Sequence, residues 1–138
     1  MPTYPNTPTV VVVLVPSRGG LLMIRRALPG EGQGRLAFPG GHQMLGQTWQ
    51  EPGAAELREE TGIGIDPEAF RVVAVETALD WRQDLISCES SPVNHDGPFR
   101  HDAEVSEVLV TREPVETAFP LHTRQVRVFF ERHGAGRR

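Results

Sequence analysis

Lysine is absent from this chain, and all 14 of its basic residues are arginines. Cysteine is almost absent too. Cys88 stands alone, which excludes an internal disulfide and a cysteine-built zinc site and suggests a reducing, cytoplasmic setting. Long apolar runs are missing: the longest is Val10 to Val15, far short of the roughly 20 residues of a membrane span. Residues 1–8 show no basic segment followed by an apolar stretch, so no secretory signal is read there. Positive charge is not in excess either. With a net charge of −4, neither nucleic acid nor an anionic membrane is an expected partner. What remains is a chain of 138 residues, 38% hydrophobic. It is long enough for one cored domain, expected over 1–138, and too short for two. The arginine-only basicity is most simply a compositional bias; alternatively, guanidinium forks suit phosphate oxygens.

Glycine and proline punctuate the rest into short elements. Thr9 to Val15, apolar on both faces, reads as a buried strand. The turn Ser17–Gly20 should join it to a hairpin partner, Leu21 to Arg26. A Gly/Pro loop over Leu28–Gly34 precedes a short strand, Leu36 to Phe38. One strong helix follows, with Thr48 and Glu51 as a capping box, Pro52 in the first turn, Gly53 as a weak spot and Gly62 as the stop. Arg71–Leu79, Leu85–Glu89 and Val105–Thr111 read as strands, with a long polar loop over Ser90–Ala103. Pro120–Arg132 reads as a terminal helix with Val126, Phe129, Phe130 and His133 on one face. The order implies an α+β fold, an α/β/α sandwich around a mixed β-sheet.

The chemistry concentrates on the first helix. Glu56, Glu59 and Glu60 stand at i, i+3 and i+4, so three carboxylates share one face and repel one another. A solvated acidic face is the common explanation of such a pattern. A hard divalent cation such as Mg²⁺ or Mn²⁺ is the other, because it would neutralise the repulsion with oxygen ligands. The Pro39-Gly40-Gly41 loop before the helix and the glycine stop after it favour the second.

The segment Gly41 to Ile63 resembles the box of the Nudix family, G-x5-E-x7-R-E-U-x-E-E-x-G-U, where U is bulky and aliphatic. Gly41, Glu56, Leu57, Glu59, Glu60, Gly62 and Ile63 match in register. The resemblance implies a Nudix-like fold and hydrolysis of a nucleoside diphosphate linked to another group. It also implies Mg²⁺ or Mn²⁺ on Glu56, Glu60, Glu59 and the Gly41 carbonyl, and Glu56, Glu59 and Glu60 as the catalytic set. A homodimer is a further possibility in such families. Two positions depart from the pattern: Gln47 replaces a glutamate and Ala55 replaces an arginine. Groups that support metal ligands are worth about 10- to 100-fold in affinity or activity. A catalytically weakened domain that binds nucleotides or regulates is therefore the alternative function.

Further candidates lie outside the box. Glu104 is a possible extra ligand or base. Arg25, Arg26 and Arg35 flank the loop before the box and could grip a phosphate, although strand alternation lets only one of Arg25 and Arg26 face a common site. Trp81 and Phe99 are candidates for stacking on a base or sugar. His95 and His101 fit no metal motif and are expected in solvent, and Cys88 is expected to be a small buried hydrophobe.

Overall fold

The computed structural model describes residues 6–80 and 82–134. β1 (Thr9–Leu14) is central in a four-stranded sheet. On one side it pairs antiparallel with β5 (Gly40–His42). On the other it pairs in parallel with β7 (Asp84–Glu89), whose outer neighbour is the antiparallel β6 (Arg71–Thr77). The second sheet is antiparallel and built on β3 (Gly20–Arg26). β8 (Val105–Thr111) pairs along one side of β3, while β2 (Pro16–Ser17) and β4 (Leu36–Ala37) share the other. The β layer is thus split in two, and its first sheet is mixed.

The expected hairpin is corrected here. Leu21 to Arg26 does form a strand, but its hairpin partner is Pro16–Ser17 and not Thr9–Val15. Pro16 has no N–H to donate to a continuing ladder. The chain changes sheet at that point, with the Val15 carbonyl already accepting from the Leu22 N–H at 3.1 Å. β1 needs neighbours on both edges, and it finds them in β5 and β7.

Two helices cover opposite faces of β1. Val11, Val13 and Val15 pack with Ala54 and Leu57 of α1 (Gln50–Thr61). Val12 and Leu14 pack with Val126 and Phe129 of α2 (Pro120–Gly134). These two clusters make the expected α/β/α sandwich. They bury side chains worth about 1.5–3 kcal/mol each. Gly53, a weak helix former, has a packing role: a Cβ there would stand 2.7 Å from Val13 Cγ1. The absent side chain lets α1 approach β1 closely.

The capping box is only half made. Glu51 Oε1 accepts from the Thr48 N–H at 2.7 Å, but Trp49 is the N-cap residue and no side chain caps the helix. Gly62 ends α1 at φ +84°, a left-handed conformation that suits glycine. The long loop after β7 is tied down at several points. Val93 bonds to the Pro16 carbonyl, Arg100 to the Thr61 carbonyl, and Asp96 pairs with Arg18. His95 is correspondingly half-buried and stacked on Phe99, not free in solvent. Cys88 is fully buried, and burial pushes its thiol up to about 12.

Candidate active site

A cavity of about 850 Å³ opens between the two helices, and Gly41, Glu56, Glu59, Glu60, Glu104 and Arg26 all line it. The box residues meet there because β5 and α1 are adjacent. Gly40 N–H donates to Glu60 Oε1 at 3.1 Å, which fixes one carboxylate against the strand. A Cβ on Gly41 would lie 2.7 Å from Glu56 Cγ, so the bare backbone makes room for the second. The i, i+3, i+4 spacing thus becomes a cluster aimed at the glycine loop.

Glu60 is 6% exposed and Glu59 is on the rim. The Glu56 carboxyl is pushed up to about 8, first by burial, then by its hydrogen bond to Glu59 and that neighbour's charge, with Glu104 and Asp102 adding repulsion. Glu60 is also pushed up to about 8, by burial and then by Glu56. The Gly40 N–H offsets part of that, and Asp102 and Glu104 again repel. Five carboxylates therefore act on one another with no cation among these interactions. Displaced upward carboxyls of this kind mark sites where charge awaits a partner.

The donors are all hard oxygens, the chemistry that Mg²⁺ and Mn²⁺ prefer. Among the described residues no three His, Cys, Asp or Glu side chains form a ready-made metal cage. Mg²⁺ does not require one. It is bound through one or two carboxylates and completes its shell with water and substrate phosphates. Glu60 and Glu56, beside a glycine backbone that admits close approach, fit that demand.

The two departures have defined places. Gln47 lines the cavity, but its Oε1 accepts from the Met44 N–H at 2.8 Å and so closes the preceding loop. Ala55 is exposed on the cavity wall. Arg58 offers no substitute for the missing arginine, since its guanidinium lies against Gly64.

Of the three candidate arginines, Arg25, Arg26 and Arg35, only Arg26 lines the cavity. β3–β8 pairing is irregular between Arg25 and Arg26, and the two side chains diverge. Arg25 is a correction: it binds Glu107 at 2.8 Å and the Gly34 carbonyl at 3.0 Å, outside the cavity. Arg35 is another, lining a separate cleft with Glu116 and Arg127. Phe99 is a third, because it packs on the α1-side core and stacks on His95. Trp81 lies outside the described residues. Phe38, Phe119 and His122 also line the cavity, and no motif in the sequence marks them as site residues. The helical stride contained a signal: His122 stands one turn before Val126 on the buried face of α2.

A family model described as the NUDIX domain matches residues 5–131. The fold is similar to that of a Nudix hydrolase from Nitrosomonas europaea, with a TM-score of 0.81 and 20% identity over 97% of this chain and 76% of that one. It is also similar to an ADP-ribose pyrophosphatase from Streptococcus suis, with a TM-score of 0.67 and 18% identity over 96% and 94% of the two chains. A bifunctional NMN adenylyltransferase/ADP ribose pyrophosphatase from Francisella tularensis, complexed with AMP and a Mn ion, gives a TM-score of 0.60 and 25% identity over 80% of this chain and 35% of that one. The matched residues include every strand and the helix that build the carboxylate cavity, and the chain belongs to the Nudix family of pyrophosphohydrolases.

Proposed function

We propose that this protein hydrolyses a nucleoside diphosphate linked to another group, with Mg²⁺ or Mn²⁺ held by Glu56, Glu60, Glu59 and the Gly41 carbonyl. The observation that carries the reading is the convergence of Glu56 and Glu60, both raised to about 8, on the glycine backbone of β5 at the wall of one large cavity. A divalent ion there would neutralise phosphate charge and acidify a water for attack. Gly40 holds Glu60 in place by its N–H. Gly41 keeps Glu56 close to the strand, and its carbonyl retains a lone pair beyond its place in the ladder. Glu59, hydrogen-bonded to Glu56 and exposed, is placed to orient a water or share an ion. Glu104, whose charge reaches both inner carboxylates, is the candidate for a further ligand or base. Arg26, half-buried in the cavity lining, is the substrate-binding arginine.

The Francisella tularensis relative was solved with AMP and Mn, and that of Streptococcus suis is an ADP-ribose pyrophosphatase. Both support a small nucleotide derivative as substrate here. The single buried cysteine fits a cytoplasmic setting. The second reading, a weakened domain that binds without turnover, rests on Gln47, which is engaged in its own loop, and on Ala55, which leaves the wall without a guanidinium.

A panel of nucleoside triphosphates, nucleotide sugars and dinucleotides tests the proposal. Cleavage at the pyrophosphate bond that requires Mg²⁺ or Mn²⁺ and stops with a chelator supports hydrolysis. Nucleotide binding without cleavage of any panel member supports the second reading.

A further inference from the structure

Another part of the cavity lining, around Arg26, Phe119 and His122, has a different chemistry. Arg26 makes no side-chain hydrogen bond or ion pair among the described residues, and its Nε is buried without a partner. It is held by non-polar contacts, with the guanidinium 4.9 Å from the Phe119 ring centroid. The stem lies where a Cβ on Gly32 would come within 3.3 Å of its Cδ. Beside it, His122 is buried, 4.9 Å from Phe119 and 5.4 Å from Phe38 between ring centroids. The His122 Nδ1 accepts from the Phe38 N–H at 3.2 Å. Only a nitrogen with a free lone pair can accept, so the ring carries its proton on Nε2. Burial first, and then the charge of Arg26, bring its pKa down to about 3 and hold the ring neutral.

The two polar groups on this aromatic wall are therefore both pure donors without hydrogen-bond partners among the described residues. A guanidinium has no acceptor, and the His122 acceptor is already used. Apart from the carboxylate cluster and Gln47, the carboxylate and amide side chains that line the cavity are Glu31 and Asp80, both exposed, and the half-buried Gln83. A flat ring lying among Phe38, Phe119 and Leu121 must turn an acceptor edge toward Arg26 and His122. Guanine and hypoxanthine present O6 and N7, two acceptors, on that edge. Adenine presents the N6 amino group, a donor, beside N7.

We propose that the Arg26–His122 wall selects a 6-oxopurine nucleotide over a 6-aminopurine one. The proposal rests on the reading of the cavity as a nucleotide site and names the base that it takes. A phosphate is the less suitable occupant of this wall. It would engage Arg26 alone and leave the neutral His122 donor and the aromatic rings without a function.

The test is the affinity of the full chain for GMP, IMP and AMP, measured calorimetrically with Mg²⁺ present. These mononucleotides contain no pyrophosphate bond, so failed binding selectivity and failed hydrolysis are separate results. GMP and IMP are expected to bind within about threefold of each other and at least about tenfold more tightly than AMP. Arg26→Met and His122→Phe should each bring the preference toward unity by weakening GMP and IMP. His122→Phe leaves the buried Phe38 N–H without an acceptor. If that variant does not fold, Arg26→Met, at a half-buried position, carries the test. AMP binding as tightly as GMP to the wild type would overturn the proposal. Equal weakening of all three nucleotides by Arg26→Met would overturn it as well, because that pattern assigns Arg26 to the phosphate.

Discussion

Removing divalent cations at two pH values should separate a built metal site from a merely acidic helix. Glu60 is 6% exposed, and its carboxyl moves from 4.5 to about 8 on folding. Each pKa unit corresponds to about 1.4 kcal/mol, so keeping Glu60 ionised in the folded, metal-free protein costs on the order of 4–5 kcal/mol. Glu56 is coupled to the same charges and does not add a full second cost. The sign follows from the direction of the shift. An acid whose folded pKa is raised favours the fold below about pH 4.5, and that contribution is lost as pH rises through about 8. The metal-free protein should therefore lose stability between pH 5.5 and 8.5, while Glu60→Gln should lose distinctly less. A cation removes the cost where the carboxylates are charged. At 100 times its Kd, Mg²⁺ stabilises by about 2.7 kcal/mol, which for a chain of this size is a Tm rise of about 10 °C. Thermal melts at constant ionic strength should show that rise at pH 8.5 and much less at pH 5.5. An equal rise at both pH values, or no rise in the wild type, would refute the reasoning. So would a full rise in Glu60→Gln.

Two further outcomes follow from the same geometry. Gln47→Glu combined with Ala55→Arg should raise activity or metal affinity by up to about 10- to 100-fold. Titrations of both single variants against the double should show that the pair is non-additive, since a lone new charge at Gln47 adds to the acidic cluster. Gly41→Ala should lower turnover at least about tenfold in steady-state assays without unfolding the chain, because its Cβ would sit 2.7 Å from Glu56 Cγ and displace that carboxylate.

The helix chemistry was legible because it is local. The spacing of Glu56, Glu59 and Glu60, the Gly62 stop and the preceding glycines all lie within 23 consecutive residues, and the helical period alone aligns them. β8 and α2 were legible from alternation and from the apolar stride. Pairing was not, because it depends on long-range contacts. The β1–β7 register joins residues far apart in sequence, and nothing local tells Val10 that Leu85 will lie beside it. The same limit applies to the arginines. Alternation separated Arg25 from Arg26, but the choice between them is made by Glu107 on β8, which binds Arg25. The surroundings of His122 were only partly legible: the stride puts it on the buried face of α2, but not beside its partner. Its bond from the Phe38 N–H joins residues 84 apart, and no local pattern announces that pairing.

The claim at the centre is that Glu60 and its neighbours hold the cation that drives pyrophosphate cleavage. The most direct measurement is single-turnover hydrolysis of the best panel substrate by wild type and Glu60→Gln, at saturating Mg²⁺ and with folding checked by circular dichroism. Glu60→Gln preserves shape and the acceptor for the Gly40 N–H while removing the negative charge. The account predicts a fall of several powers of ten in the chemical step. A variant that cleaves at the wild-type rate contradicts it.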